Sequence, residues 1–194
     1  MRDSDRPRSY FISPNGGTAR PLLPEGEKPQ SDPNWSPDGK KIIFGSGEFD
    51  HSTENLCILD LASQQIITVP GSNDTYSPRW SPNGQLVAGL SSSTHSLKVF
   101  DFNSQRWTLL QKGFIGYPYW SHDGQFIYYL RPQDEPGVYR IRVSGGNAER
   151  VVDLKGFRQS GLWGFWMGLD PTGAPLLLRR MGTDDIYALN LEEK

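Results

Sequence analysis

One cysteine, Cys57, excludes an intramolecular disulfide, so burial and hydrogen bonding must hold the fold. Histidine is scarce too, and neither His95 nor His122 has a recognisable metal-binding or catalytic partner. Glu48, Asp50, His51 and Glu54 share one stretch, but their spacing matches no metal motif and reads as a solvated polar loop. No Gly-x-Ser-x-Gly string announces a nucleophile elbow; Gly45-Ser46-Gly47 comes nearest and reads as a flexible strand exit. The same Gly45-x-Gly47 lacks the further glycine and the helix of a dinucleotide fingerprint. These gaps argue against an enzyme and against a catalytic, cofactor or metal site.

Charge of one sign is also missing. A net charge of −2 provides no basic field for nucleic acid. Arg2, Arg6 and Arg8 alternate with Asp3 and Asp5 and read as a solvated start. No apolar run is long enough to span a bilayer, and the first residues do not resemble a signal peptide. As written the chain reads as soluble. Its compartment stays open between cytoplasmic and, for a longer parent, periplasmic.

Glycine and proline are plentiful instead, 21 and 15, and their even spread indicates short elements joined by turns. The turns repeat. Pro33-Asn34-Trp35-Ser36-Pro37-Asp38-Gly39-Lys40 returns as Pro78-Arg79-Trp80-Ser81-Pro82-Asn83-Gly84-Gln85, and again as Pro118-Tyr119-Trp120-Ser121-His122-Asp123-Gly124-Gln125. Trp35 and Trp80 are 45 positions apart and Trp80 and Trp120 are 40. A degenerate copy, Leu169-Asp170-Pro171-Thr172-Gly173-Ala174, lacks both the tryptophan and the serine. This period fits a four-stranded propeller blade. The repeat framework is thus Trp35, Asp38, Gly39, Trp80, Asn83, Gly84, Trp120, Asp123, Gly124, Asp170 and Gly173.

After each glycine comes an apolar run (Ile42-Ile43-Phe44, Leu86-Val87-Ala88, Phe126 to Leu130, Leu176 to Leu178). A second follows a polar loop (Leu56 to Leu59, Leu97 to Phe100, Val138 to Val143, Ile186 to Leu189). The first three copies add a third: Ile66 to Val69, Trp107 to Leu110 and Val151-Val152. Such short, β-branched or aromatic runs between turn residues are strands. With the segment ending at the tryptophan, each copy has four. The Asp-Gly or Asn-Gly pair tolerates the positive φ of tight turns. The proline before each tryptophan lacks an N–H and belongs on a sheet edge, the innermost strand of a blade.

These residues resemble the TolB-like propeller repeat, Trp-Ser-Pro-Asp-Gly-Lys/Arg followed by a short apolar strand, from Asp32 onward. The resemblance implies a propeller fold and a role in protein recognition. Members of the family also occur as modules joined to bacterial kinases, winged-helix regulators and peptidases.

The expected fold is all-β: about four four-stranded antiparallel blades, at 31–70, 75–111, 116–153 and a three-stranded 160–191, after an outer half-blade at 8–24. Ser9 to Ile12 and Ala19 to Leu23 form that half-blade around Pro14-Asn15-Gly16-Gly17. A closed four-bladed ring would pair Ala19 to Leu23 with Ile186 to Leu189, leaving Ser9 to Ile12 without a place. The reading favoured is part of a larger propeller, with open blade faces prone to self-association.

The expected function is non-enzymatic: a module for protein–protein interaction or sensing, the C-terminal part of a larger bacterial signalling or regulatory protein. The alternatives are a periplasmic TolB-like component and the accessory propeller of a peptidase. Binding is expected on the loops between second and third strands, residues 47–55, 91–96, 131–137 and 179–185, whose mixed charge suits a protein. Trp163, Phe165 and Trp166 are expected to fill in for the missing fourth tryptophan, and Cys57 to be a small core residue.

Overall fold

The computed structural model describes residues 7–24, 28–47, 54–160 and 164–182. All regular elements among these are β-strands. β1 (Tyr10–Phe11) and β2 (Arg20–Pro21) form a two-stranded ribbon. Three antiparallel four-stranded sheets follow, each ordered as the chain runs. The first holds β3 (Ser31–Trp35), β4 (Lys41–Ser46), β5 (Asn55–Asp60) and β6 (Ile66–Thr68). The second holds β7 (Thr75–Trp80), β8 (Leu86–Ser91), β9 (Ser96–Asp101) and β10 (Arg106–Lys112). The third holds β11 (Gly116–Trp120), β12 (Phe126–Arg131), β13 (Gly137–Arg142) and β14 (Glu149–Asp153). β15 (Met167–Leu169) and β16 (Pro175–Leu177) pair beyond them. The first strands β3, β7, β11 and β15 are neighbours in that order, so the sheets are successive blades of a propeller. Ile186 to Leu189 and Trp163 lie outside the described residues.

Strand alternation explains the stacking. In β4 and β5, Ile42, Phe44, Cys57 and Leu59 face the ribbon residues Phe11, Leu22 and Leu23. Their alternates Ile43, Leu56 and Ile58 meet Val87 and Phe100 of the second blade. Ala88, Leu90, Leu97 and Val99 then meet Ile127, Tyr129, Tyr139 and Ile141 of the third. Leu130 and Val138 meet Met167 beyond it. Because both faces are covered, the strands read as continuous apolar runs.

The repeat tryptophan points to the preceding blade, and its burial depends on what is there. Trp80 packs into the first–second interface and stacks on Phe102 at 4.9 Å. Its backbone N–H donates to Asn34 Oδ1 of the blade before, at 2.8 Å. Trp120 Nε1 donates to the Arg79 carbonyl at 2.8 Å. Among the described residues Trp35 meets the ribbon, with Phe11 5.6 Å away, and is 52% exposed. In the last interface, Leu169 stands at the tryptophan register and Met167 is fully buried against Leu130 and Val138. Phe165 packs there too, whereas Trp166 folds over Gly168, so the expected substitution by Trp166 does not occur.

The turn after each tryptophan needs a small correction. Among Asp38-Gly39, Asn83-Gly84 and Asp123-Gly124, only the glycines take positive φ, at 69°, 72° and 68°. The preceding residue works through its side chain. Asp38 Oδ1 accepts from Ser36 Oγ at 2.7 Å and Lys40 N at 3.1 Å, while Ser36 Oγ accepts from Lys41 N at 2.9 Å. Asn83 with Ser81, and Asp123 with Ser121, repeat the pattern. The Ser36 hydroxyl and then the Lys40 N–H hold the Asp38 carboxyl below its usual range. The fourth copy keeps this chemistry with its partners exchanged. Asp170 occupies the serine position and accepts from Thr172 Oγ1 at 2.7 Å, Thr172 N at 2.8 Å and Ala174 N at 2.9 Å.

The unequal burial sets a test. Trp120→Ala is expected to cost about 3 kcal/mol, for lost packing and an orphaned Arg79 carbonyl, and Trp35→Ala about 1 kcal/mol. Urea denaturation of both variants checks the order; equal losses would contradict the assigned interfaces.

Candidate functional site

Each innermost strand carries the same irregularity. Between Ser31↔Gly45 and Asn34↔Ile43, the pair Asp32-Pro33 opposes a single residue of β4. Ser77-Pro78 does so in β7 and Tyr117-Pro118 in β11. The missing proline N–H lets the ladder skip there, forming a β-bulge. In all three bulges the residue before proline is left-handed: Asp32 at φ 49°, Ser77 at 52° and Tyr117 at 53°. None is glycine, and such a conformation costs about 1 kcal/mol for an L-residue.

These residues and their neighbours form a continuous wall along the inner edge. Ser77 Oγ donates to Asp32 Oδ2 at 2.6 Å. Arg79 Nη2 stands 3.5 Å from Asp32 Oδ1, and its Nη1 donates to the Pro78 carbonyl at 2.8 Å. The Arg79 guanidinium lies 5.7 Å over the Tyr119 ring. Tyr117 meets Phe165 edge-on at 5.8 Å. Burial, then the Asp32 carboxylate, pushes the Tyr117 phenol up. Arg79 is largely buried while the Asp32 side chain is half exposed. The wall thus presents an acidic group and aromatic faces on a strained, regular backbone, with the buried Ser77 hydroxyl holding Asp32 from behind. Serine, carboxylate and arginine meet here, but the described histidines sit elsewhere, His95 bonded to the Ser92 carbonyl and His122 in the turn after Trp120.

Next to the wall, Asp74 ties two connections together. Its N–H donates to the Glu54 carbonyl at 2.8 Å. Its carboxylate accepts from Ser91 Oγ at 2.6 Å, from the Ser92 and Ser93 hydroxyls, and from Ser93 N at 3.0 Å. Burial opposes the charge, yet the hydroxyls of Ser91, Ser92 and Ser93 overcome it and hold the carboxyl far below its usual range. A small cavity of about 80 Å³ adjoins this clamp, lined by Tyr76, Leu90, His95, Phe114 and Ile115 among others.

The expected loops fare unevenly. Ser91 pairs with Ser96, so the second blade's loop is a tight turn held by Asp74. Arg131 pairs with Gly137, and Tyr139 Oη donates to the Glu135 carbonyl at 2.9 Å, drawing that loop onto its own sheet. Residues 48–53 and 183–185 lie outside the described residues, so most of the 47–55 loop and the end of the last one do too. Among the described residues, no group of three or more His, Cys, Asp or Glu side chains could hold a metal ion. No helix among them is long and apolar enough to cross a membrane. Sequence reasoning missed Asp32, Ser77 and Tyr117. Their signal was the variable residue before an invariant proline.

Consecutive four-stranded antiparallel blades with adjoining inner strands define a β-propeller. The chain belongs to the TolB beta propeller domain family, whose model matches residues 4–164. It is 28% identical over 100 residues to the Tol-Pal system protein TolB of Francisella tularensis, covering 51% of this chain and 23% of that protein. TolB from Acinetobacter baumannii superposes with a TM-score of 0.72 at 18% identity, covering 94% of this chain and 46% of that one. A TolB-type structure from Agrobacterium tumefaciens gives 0.61 at 20% identity, covering 74% and 56%. The chain spans less than half the length of the Acinetobacter protein and under a quarter of the Francisella one.

The Asp74 clamp predicts a pH-dependent loss. Asp74→Asn is expected to cost about 2 kcal/mol at pH 7, the scale of hydrogen bonds to a charged group. A lowered folded-state pKa stabilises fully above the unfolded value, about 4, and is lost as pH falls below it. The gap between wild type and variant should therefore narrow in urea denaturation below pH 4; a constant gap down to pH 3 would exclude the charge as its source.

Proposed function

We propose that the chain is a non-enzymatic recognition module that binds a protein partner along its inner edge, with Asp32, Tyr117 and Tyr119 as the contact wall and Ser77 and Arg79 holding Asp32 in place behind it. The observation carrying this reading is the repeated left-handed bulge, which holds a different side chain in each blade on the same backbone. A strained position kept three times while its side chain varies is what recognition of an asymmetric ligand requires. A carboxylate beside aromatic faces suits a protein surface better than a phosphate backbone.

A place within a Tol-Pal type assembly is the second reading, favoured by the name of the Francisella relative. It would put the parent protein in the periplasm. A photo-crosslinking residue at Tyr117 separates recognition from mere scaffolding. In cells of the source organism it is expected to give a discrete protein adduct, identifiable by mass spectrometry, that the same residue at Gly16 does not give. No adduct, or the same adducts from both positions, would sink the assignment.

A further inference from the structure

The third blade departs from its neighbours on one face. Strand register places Ile58, Val99 and Arg140 at equivalent positions, opposite Ile43, Ala88 and Tyr128. Ile58 and Val99 are buried in the interfaces that take the next blade's Trp80 and Trp120. After the third blade the tryptophan register holds Leu169, and the facing residue has become arginine. Two positions on, Arg142 replaces Asp60 and Asp101, whose carboxylates accept from turn N–H groups in the earlier blades. The turn itself changes to Gly145-Gly146, at φ 91° and 114°.

These changes together line a cavity of about 310 Å³ with Phe126, Arg140, Arg142, Glu149 and the glycine turn. The guanidinium groups of Arg140 and Arg142 lie 4.8 and 4.5 Å from the centre of the Phe126 ring. Arg140 is neutralised, its Nε and Nη2 both 2.8 Å from Glu149 Oε2, with Tyr128 Oη 3.4 Å from Nη1. Arg142 donates from Nη1 to Gln125 Oε1 at 3.5 Å. Asp123 feels its field, yet among the described residues no carboxylate comes within ion-pair range of Arg142. Two arginines face one glutamate, so the cleft is positive in a chain of net charge −2.

We propose that this cleft is an anion site that takes a carboxylate side chain from an acidic segment of a partner protein. Arg142 is the binding group. Its planar fork matches a carboxylate through two parallel N–H donors, and the Phe126 ring fixes the plane of that fork. Arg140 and Glu149 form a fixed pair beside it, and the Gly145-Gly146 turn leaves the approach free of side chains. The cleft lies at the turn end of the third blade, apart from the inner-edge wall, and does not rest on the reading of that wall.

NMR of the Arg Nε–Hε groups in the full chain tests the site, with acetyl-Asp-Glu-Asp-amide as probe and acetyl-Lys-Gly-Lys-amide and inorganic phosphate in parallel. The acidic peptide is expected to shift the Arg142 signal saturably, with an affinity that falls as salt rises. Arg142→Lys keeps the charge and loses the fork, and is expected to weaken binding several-fold. Arg142→Gln should weaken it about tenfold or more, and Lys112→Gln, which removes an exposed charge on β10, should leave it unchanged. The proposal fails if the shift does not saturate, if Arg142→Gln binds as tightly as the parent, or if phosphate saturates the site while the peptide does not.

Discussion

The structure depends on one constraint: each blade is apolar on both faces and is stable only between neighbours. Ile43 and Phe44 are adjacent in β4, both fully buried, and they enter different interfaces. A lone sheet of this composition would leave one of those faces in water, at roughly 25 cal/mol for each Å² of apolar surface. Stability therefore propagates from blade to blade. Where, among the described residues, a blade has a two-stranded ribbon beside it, as the first does, Trp35 stays half exposed together with Tyr10 and Ile12.

The same constraint frees the inner edge. The second and third strands of each blade bury the most and set the register, so the first strand can bulge without loss of the stack. Proline removes the N–H that a regular ladder would need, and the residue before it turns left-handed. A packing rule thus becomes a display rule: identical backbone, different side chains. Asp32 and Ser77 are bonded to each other across two blades, so the wall is also a seam between inner strands.

The fold was legible because its signals were local and repeated. Trp-Ser-Pro-Asp-Gly gave the turn, the apolar runs gave the strands, and proline marked the edge. The site was much less legible. Nothing local shows that Asp32 reaches Ser77, 45 positions later, or that Asp74 collects three consecutive serine hydroxyls. Loops at 91–96 and 131–137 read as open binding surfaces, and their tips at Ser93 to His95 and Gln133 to Glu135 are exposed, but how tightly each loop is anchored is not a local signal. Asp74 and the Tyr139 hydroxyl decide that question, and both act across pairings that spacing alone does not reveal.

Departures from the repeat carry more information than the repeat itself, and they come in two kinds. Asp170 and Thr172 exchange the carboxylate and hydroxyl of the turn but keep its hydrogen bonds, so that change is conservative in physical terms. Leu169 and Arg140 are different. The loss of an indole on one blade coincides with a charge on the face that would have received it. An isolated arginine at an apolar interface would be a defect. Here Glu149 neutralises it, Phe126 supports it, and Arg142 and a glycine turn change with it. A concave, net-positive surface needs all of these features at once. Beside the apolar contact of Leu130 and Val138 with Met167, the face opposite the lost indole therefore carries charge at its outer end.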